Sequence, residues 1–334
     1  MTPDKIIGDL KKKNFKAVYW LEGEEEFFID QVVQFAEHHL LPESEAGFNL
    51  TVMYGKDTDW ATVVNACRRY PMFAEHQIVI LKEAQEMRQI EKLEAYVDKP
   101  LTSTLLFVAY KNKKVDGRTK LAKLLKEKGV LLSTKKLYDN ELPDWTSNMV
   151  RSKGFTITPK ALHLLIDHIG NDLSRLRNEI DKLALNLGER KSITEDDIEQ
   201  YIGVSKEFNV FELQQAMGRR DLYKAVRILQ YFEGNPKAGP IQLILPSLYN
   251  FFSKVLLVHS APSKDEQALA TYMGVNKFFV RDYLHAAQRY SQASVEGIIL
   301  LLHHYNLRAV GVNDAGTDDM ELMKEFVAKA MGEG

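Results

Sequence analysis

The chain has 334 residues, of which 45% are hydrophobic and 27% charged, and its formal net charge is −2. This length exceeds what one hydrophobic core usually supports, so we expect two or three domains in an ordinary water-soluble protein. The balanced charge argues against a general basic coat for nucleic acid, and no apolar run predicts a helix that spans a membrane.

The single cysteine and the N-terminal segment restrict the class of protein further. Cys67 alone cannot form an internal disulfide framework or a CxxC metal site, and it is best explained as a small buried apolar residue. Residues 1–16 carry their charge after a short apolar patch and lack a long apolar stretch, so we see no secretory signal. We expect a cytoplasmic protein.

Short apolar runs alternate with helical patterns over the first 140 residues. Buried runs such as IVIL and LLFVAY are typical of a parallel sheet that is covered on both faces, and most of the intervening segments are long enough for helical crossovers. The pattern predicts a parallel α/β domain over residues 1–140. Its five predicted strands are 17–21, 48–54, 77–81, 104–110 and 130–133.

The loop after the first predicted strand is where an α/β domain commonly binds phosphate. Here it reads Glu22-Gly23-Glu24-Glu25-Glu26, in which four carboxylates surround one glycine. Such a loop would repel a polyphosphate, and the chain contains no GxxxxGK[ST] sequence. The same acidic residues could simply stabilise the start of the next helix, and either reading argues against phosphate chemistry at this position.

A large apolar pair lies at a predicted corner between a helix and a strand. Residues 57–59 open a helix that Pro71 should end, and Met72 and Phe73 follow before the strand at 77–81. Considered alone, Phe73 would be assigned to the core, because aromatic residues beside strands normally pack inward. Corners of this kind are usually exposed, so the residues alone leave open whether Phe73 is buried or exposed.

Residues 111–128 form a strongly basic segment with eight basic and two acidic side chains. Lys114, Arg118, Lys120 and Lys123 are candidates for contacts with DNA phosphates, with a row of leucines anchoring the helix beneath them. The alternative is a solvated helix face without a ligand.

Helical patterns dominate the rest of the chain, with a small domain at 141–207 and a larger one at 208–334. Residues 205–209 form the break between them. In the smaller domain, a helix carries leucines and an isoleucine every three to four positions, which indicates one buried stripe. Five further helices are predicted at 221–233, 241–259, 265–272, 276–290 and 294–308.

These features in this order resemble the delta subunit of bacterial DNA polymerase III, the clamp-loader subunit that opens the sliding clamp. One amphipathic helix could occur in any helical protein, but the ordered combination is specific and covers essentially the full length. The matching residues are Val18, Tyr19, Leu21, Gly23, Glu24, Glu25 and Phe27 near the first strand, then Asn171, Asp172, Leu173, Leu176, Asn178, Glu179, Lys182 and Leu183, and the NVFEL element at 209–213.

The resemblance implies an AAA+-like α/β domain without a phosphate-binding loop at 1–140, a helical lid at 141–207 and a helical collar at 208–334. It implies a non-catalytic part of the DNA polymerase III holoenzyme, without cofactor, metal or membrane contact. The implied partners are the sliding clamp (beta), the ATPase subunits (gamma/tau), delta-prime, and primer-template DNA through the complex. The collar aromatics should serve the core and subunit contacts; they are Tyr249, Phe251, Phe252, Phe278 and Phe279.

The resemblance also reverses the assignment of Phe73. In that family, a hydrophobic pair at this position inserts into a pocket of the sliding clamp, and here the pair would be Met72 and Phe73. Pro71 and Met72 depart from the more familiar small residue and leucine, and we expect an altered fit. The rim would be formed by Arg68, Arg69 and Tyr70.

Two other assignments compete with this interpretation. An AAA+-related NTPase with an atypical nucleotide site would turn over ATP, which the acidic loop opposes. A sister clamp-loader subunit that supplies an arginine finger would carry a Ser-Arg-Cys motif and zinc-binding cysteines, and neither is present. The adjacent pairs His38–His39 and His303–His304 point about 100° apart on a helix, so neither predicts a metal site.

Overall fold

The computed structural model of the protein describes residues 1–138, 140–314 and 316–332. The chain divides into a first unit, from Met1 to Leu137, and a second unit, from Tyr138 to the C-terminal end. Each unit is described separately below. The further division of the second unit at residue 207 remains a prediction.

A five-stranded parallel sheet forms the centre of the first unit. Its strand order is β2-β3-β4-β1-β5, and each neighbouring pair is parallel. All five predicted strands are present, because each apolar run supplies side chains to one or both faces of the sheet. The strands are β1 (Val18–Gly23), β2 (Leu50–Tyr54), β3 (Gln77–Lys82), β4 (Thr104–Lys111) and β5 (Val130–Thr134).

Helices cover both faces of this sheet. The helices of the first unit are α1 (Pro3–Lys11), α2 (Glu26–His39), α3 (Glu43–Asn49), α4 (Trp60–Cys67), α5 (Glu94–Asp98) and α6 (Lys120–Lys128), with short 3-10 turns at Ala84–Glu86 and Ile90–Leu93. Along β1, Tyr19 and Leu21 face the cluster that contains α1 and α2. Val18 and Trp20 face the opposite cluster, which contains α4, α5 and α6. The alternation of side chains along a strand accounts for this division.

Predicted strand ends in the first unit differ from the observed ends by up to two residues, and two boundaries have a clear physical explanation. The second strand begins at Leu50, because the preceding Asn49 belongs to α3. The helix opened by Asp59, whose carboxylate accepts the Thr62 N–H at 2.7 Å, ends at Cys67 and does not continue to Pro71. Side chains from β3 and β4 satisfy the carbonyl groups at its end, as described below, so the chain leaves the helix early.

The second unit is helical, as predicted, apart from a parallel pair of two-residue strands that the sequence did not reveal, β6 (Thr156–Ile157) and β7 (Ser192–Ile193). Its first helices are α7 (Leu142–Ser152), α8 (Pro159–Ile169), α9 (Leu173–Asn186) and α10 (Glu195–Asp197), which continues as a π-helix (Ile198–Ile202). They are followed by α11 (Val210–Gly218), α12 (Leu222–Gly234), α13 (Ile241–Ser260), α14 (Glu266–Met273), α15 (Lys277–Arg289), α16 (Gln292–Ala309) and α17 (Asp319–Gly332).

Capping residues explain where several of these helices begin. Asp172 caps α9 by accepting the Arg175 N–H at 2.9 Å, and Thr158 caps α8 by accepting the Ala161 N–H at 3.2 Å. Thr194 and Asp197 form a reciprocal capping box at α10. The predicted stripe on α9 is buried, which confirms that this helix packs through its leucine face.

Helix α13 lies in the main core of the second unit. Among the described residues, it is the one helix whose length and composition would allow it to cross a membrane. The core helices of soluble proteins pass the same test. Its residues Phe251 and Phe252 pack in the same cluster as residues of α16 and α17. Phe279 is also buried, whereas Tyr249 and Phe278 are exposed, which leaves subunit contact as the predicted role of the latter two.

Candidate functional site

Met72 and Phe73 form an exposed apolar tip in the segment between α4 and β3, which we call the tip loop (residues 68–76). Phe73 is 97% exposed, and Met72 is 51% exposed. Tyr70 is 80% exposed, and Arg68 and Arg69 are also at the surface. The structure thus places all five predicted site residues on one short surface loop.

The backbone of Phe73 has an unfavourable conformation. Its φ is +56°, in the left-handed region that side chains other than glycine, asparagine and aspartate rarely adopt. Such a conformation costs on the order of 1–2 kcal/mol and persists only where the surroundings impose it. The phenyl ring gains almost no burial in return, so neither its packing nor its backbone explains its presence here.

Buried side chains from the sheet hold the start of the tip loop. The Gln77 side-chain amide donates to the carbonyl oxygen of Arg69 and to the Thr104 hydroxyl, the latter at 2.8 Å. The Thr104 hydroxyl in turn donates to the carbonyl oxygen of Cys67 at 2.9 Å. Gln77 and Thr104 are both buried, so these bonds are shielded from water. They fix the direction in which the chain leaves α4.

A second buried side chain holds the tip itself. Asn49, the last residue of α3, is 2% exposed. Its Oδ1 accepts the Met72 N–H at 2.7 Å, and its Nδ2 donates to the Met72 carbonyl oxygen at 2.9 Å. Sequence reasoning missed Asn49, because it lies 23 positions from Met72 and no motif marks it.

The tip loop combines an apolar end with positive charge. Residues 68–76 include two arginines and a single acidic residue, Glu75. Within the described residues, neither Arg68 nor Arg69 has a carboxylate within ion-pair distance. This arrangement suits an apolar pocket with an acidic border on a partner protein, since complementary charge steers such encounters.

Two of the four predicted DNA-binding residues form salt bridges within the described part of the chain, and the other two do not. All four are exposed, and the leucines of α6 are buried beneath them as predicted. Arg118 forms a salt bridge with Asp116 at 2.8 Å, and Lys120 forms one with Glu94 at 2.9 Å. Lys114 and Lys123 have no ion pair within the described residues, so they are the more available cations.

Lys111, at the start of the basic segment, is committed to another role. Its Nζ lies 2.9 Å from Asp30, 3.2 Å from Glu83 and 3.3 Å from Glu26. Burial opposes its charge, but hydrogen bonds to Asp30 and Glu83 outweigh that effect, so the pKa of Lys111 is raised above its usual range. This lysine neutralises an acidic cluster at the carboxyl edge of the sheet and is not available to a phosphate.

The connection after β1 is too short and too crowded to wrap a phosphate. Only Glu24 and Glu25 separate β1 from α2. Gly23 has φ +124°, and a Cβ atom there would lie 2.2 Å from the Thr134 carbonyl oxygen. The Thr134 hydroxyl accepts the Glu25 N–H at 3.2 Å, and the Glu25 carboxylate accepts the Phe27 N–H at 3.2 Å. The N–H groups of Glu25 and Phe27, which face the start of α2, are therefore already engaged.

Glu22 adds a buried carboxyl group beside this connection. It accepts hydrogen bonds from the Trp20 indole N–H at 3.2 Å and from the Val115 N–H at 2.9 Å. Burial raises the pKa of Glu22 above its usual range, although these hydrogen bonds oppose the shift. Among the residues that the structure describes, no group of three or more His, Cys, Asp or Glu side chains could hold a metal ion.

Comparison with known proteins finds similarity to delta subunits of DNA polymerase III. Residues 19–135 match the family model for DNA polymerase III, delta subunit. The chain is 26% identical to DNA polymerase III subunit delta of Bacillus subtilis (strain 168) over 333 residues, which cover 95% of this chain and 93% of the relative. It is 23% identical to the probable DNA polymerase III subunit delta of Aquifex aeolicus (strain VF5) over 224 residues, 64% of this chain and 62% of the relative.

A solved structure shares the fold over the whole length. The Bacillus subtilis DNA clamp loader delta protein (YqeN) matches with a TM-score of 0.55 and 23% identity, covering 99% of this chain and 100% of that one. The predicted fold class, a parallel α/β domain followed by helical regions, is confirmed. The resemblance to the delta-subunit family is confirmed with it.

Proposed function

We propose that this chain, a relative of the DNA polymerase III delta subunit, binds the sliding clamp through its tip loop and opens the clamp ring during DNA replication. The observation that carries the proposal is Phe73, a fully exposed aromatic residue in a strained backbone conformation on a loop held by buried hydrogen bonds. Strain of this kind is characteristic of functional positions. The family resemblance supports the coarser statement, that the chain has a clamp-loader role.

Burial of the apolar pair supplies the binding energy. Full burial of a Met or Phe side chain contributes about 1.5–3 kcal/mol, so a pocket that takes Met72 and Phe73 gains several kcal/mol from two residues. Arg68, Arg69 and Tyr70 would form the rim that excludes water around such a hot spot. Because the loop is already fixed, little of this gain is lost in ordering it.

Opening follows from a preference for one state of the ring. A ligand shifts a conformational equilibrium only as far as its affinities for the two states differ. The chain would therefore bind the clamp interface more tightly when the ring is open. No bond is made or broken in this step, and the role is mechanical.

The chain would act within an assembly in the cytoplasm. ATP binding and hydrolysis are assigned to the partner subunits gamma/tau, because the connection after β1 in this chain is closed and acidic. The collar would join these subunits and delta-prime. Lys114 and Lys123, and to a lesser extent Arg118 and Lys120, would face primer-template DNA in the assembled loader.

Calorimetric titration against the sliding clamp of the same organism tests the proposal. We expect Phe73→Ala to weaken binding at least tenfold, about 1.4 kcal/mol or more. Leu185→Ala is the matched control, because Leu185 is an apolar residue that is 85% exposed on α9, outside the tip loop. Equal binding by the wild type and Phe73→Ala would move the contact away from the tip loop.

A further inference from the structure

We infer that Asn49 is a positioning residue that presents the Met72–Phe73 pair to the partner. This inference rests on the proposed function, because it assigns a part in clamp binding to a side chain that the clamp would not touch. Asn49 is buried, so any effect of its substitution on binding must act through another residue.

The side chain of Asn49 is fully used in holding the loop. Its carbonyl oxygen accepts from the Met72 N–H at 2.7 Å, and its amide nitrogen donates to the Met72 carbonyl oxygen at 2.9 Å. The same nitrogen also donates to the Glu45 carbonyl oxygen at 3.3 Å, within α3. Both donor hydrogens and the acceptor of the amide therefore have partners.

The two hydrogen bonds from Asn49 to Met72 imitate the pairing of two strands. In an antiparallel sheet, two facing residues exchange both an N–H and a carbonyl bond, and this exchange fixes their backbone direction. Asn49 provides the same exchange from a side chain, with no strand beside Met72. The two peptide groups that flank Met72 are thereby fixed, and the second of them joins Met72 to Phe73. The left-handed conformation of Phe73 begins where that fixed peptide ends.

The chemistry is specific to asparagine. Aspartate has nearly the same shape and can accept the Met72 N–H, but its second oxygen would face the Met72 carbonyl oxygen and repel it. Alanine removes both bonds. Neither substitution removes a side chain from the exposed surface of the tip loop, so no group that would touch the clamp is lost.

The test combines two measurements on Asn49→Ala and Asn49→Asp. Hydrogen exchange at the Met72 amide reports whether Asn49 orders the loop. We expect exchange to accelerate about tenfold or more in Asn49→Ala, and by a smaller factor in Asn49→Asp, which keeps an acceptor for this N–H. Calorimetric titration against the sliding clamp should show binding weakened about tenfold. Asn65→Ala is the matched control, because Asn65 is exposed on α4. Circular dichroism checks folding, and Asn49→Asp keeps the test usable if Asn49→Ala fails to fold.

A double-mutant cycle with Phe73→Ala separates positioning from a general structural effect. If Asn49 acts by presenting the apolar pair, its substitution should change binding little once Phe73 has been removed. An equal loss in both backgrounds would overturn the positioning role, and so would unchanged exchange at Met72. Failure of the wild-type chain to bind the clamp would instead overturn the proposed function, and with it the binding role of Asn49.

Discussion

At Phe73, side-chain exposure and backbone conformation both oppose what folding alone would favour. An aromatic side chain that is 97% exposed forgoes the free energy of burial, and its φ of +56° adds strain. A residue that contributes to stability in neither way can be replaced without loss of fold. The position therefore separates binding from stability.

Replacing Phe73 with asparagine should separate these two properties in an experiment. Asparagine tolerates the left-handed region, so we expect the free energy of unfolding to stay the same or to rise by up to about 1 kcal/mol. Clamp binding should fall at least tenfold, since the ring is lost. Urea unfolding and calorimetric titration measure the two effects. Destabilisation by more than about 1 kcal/mol would mean that Phe73 packs against the protein.

Residue chemistry and family resemblance contributed differently to this site. The chemistry of an aromatic residue beside a strand favoured a core position for Phe73, whereas its place at a helix-to-strand corner and the family resemblance favoured exposure. The positive φ could not be read from the sequence, because the hydrogen bonds that hold the neighbouring Met72 come from a residue 23 positions away. Asn49 was missed for the same reason, since its bond with Met72 depends on how α3 and the tip loop meet in space.

At the scale of elements, Glu212 links three helices of the second unit. Its carboxylate lies 2.6 Å from Lys160 of α8 and also bonds Lys224 of α12, while Glu212 itself belongs to α11. Burial opposes ionisation, but the hydrogen bonds from both lysines outweigh it, so the pKa of Glu212 lies below its ordinary value. The ionised form therefore stabilises the folded state.

The stabilisation by Glu212 should depend on pH in a defined direction. At pH 7 we expect Glu212→Gln to lower the free energy of unfolding by about 1.5–3 kcal/mol, the range for hydrogen bonds to charged groups. A lowered carboxyl pKa stabilises the fold above the unfolded pKa, so the difference should vanish as pH falls through the folded pKa. Urea unfolding between pH 3 and 7 measures it. Glu207→Gln is the exposed control, and a pH-independent difference would contradict the ion-pair account.

The basic segment, residues 111–128, should provide phosphate contacts mainly through Lys114, which precedes α6, and Lys123 on α6. In the assembled loader, each phosphate contact contributes about 0.9 to the slope of log affinity for duplex DNA against log salt concentration. We expect the combined Lys114→Gln and Lys123→Gln substitutions to reduce that slope by about 1.8. Lys128→Gln should change it less, because Lys128 is paired with Asp98 at 2.7 Å. The slopes are obtained from DNA binding measured at several salt concentrations. An unchanged slope in the double variant would mean that the basic segment is a solvated face without a DNA contact.

The long apolar elements were predictable from the sequence, and the short ones were not. The apolar runs that form β1, β3, β4 and β5 lie in a sheet that is covered by helices on both faces, so their hydrophobicity alone identifies them as strands. Strands β6 and β7 have two residues each, too few to show any periodicity. Phe48 and Asn49 were assigned to the second strand because an apolar run follows them directly. In the folded chain they form the end of α3, and β2 begins after them.

At the scale of the whole molecule, we expect no nucleotide chemistry from this chain. A nucleotide present at 100 times its dissociation constant would raise stability by about 2.7 kcal/mol. We expect millimolar Mg-ATP to leave the melting temperature unchanged and the isolated chain to show no ATP turnover. Thermal unfolding with and without Mg-ATP, beside a phosphate-release assay, checks both. ATP turnover that copurifies with the chain would favour the competing assignment as an NTPase.

Opening of the clamp ring is the central claim, and release of the clamp from circular DNA tests it most directly. Clamp is placed on closed circular DNA, the isolated chain is added, and the clamp that remains bound is followed with time. We expect the wild-type chain to accelerate release, Phe73→Ala to leave the release rate unchanged, and Leu185→Ala to behave as the wild type. Tight binding of the clamp by the wild-type chain without faster release would contradict the claim that this chain opens the ring.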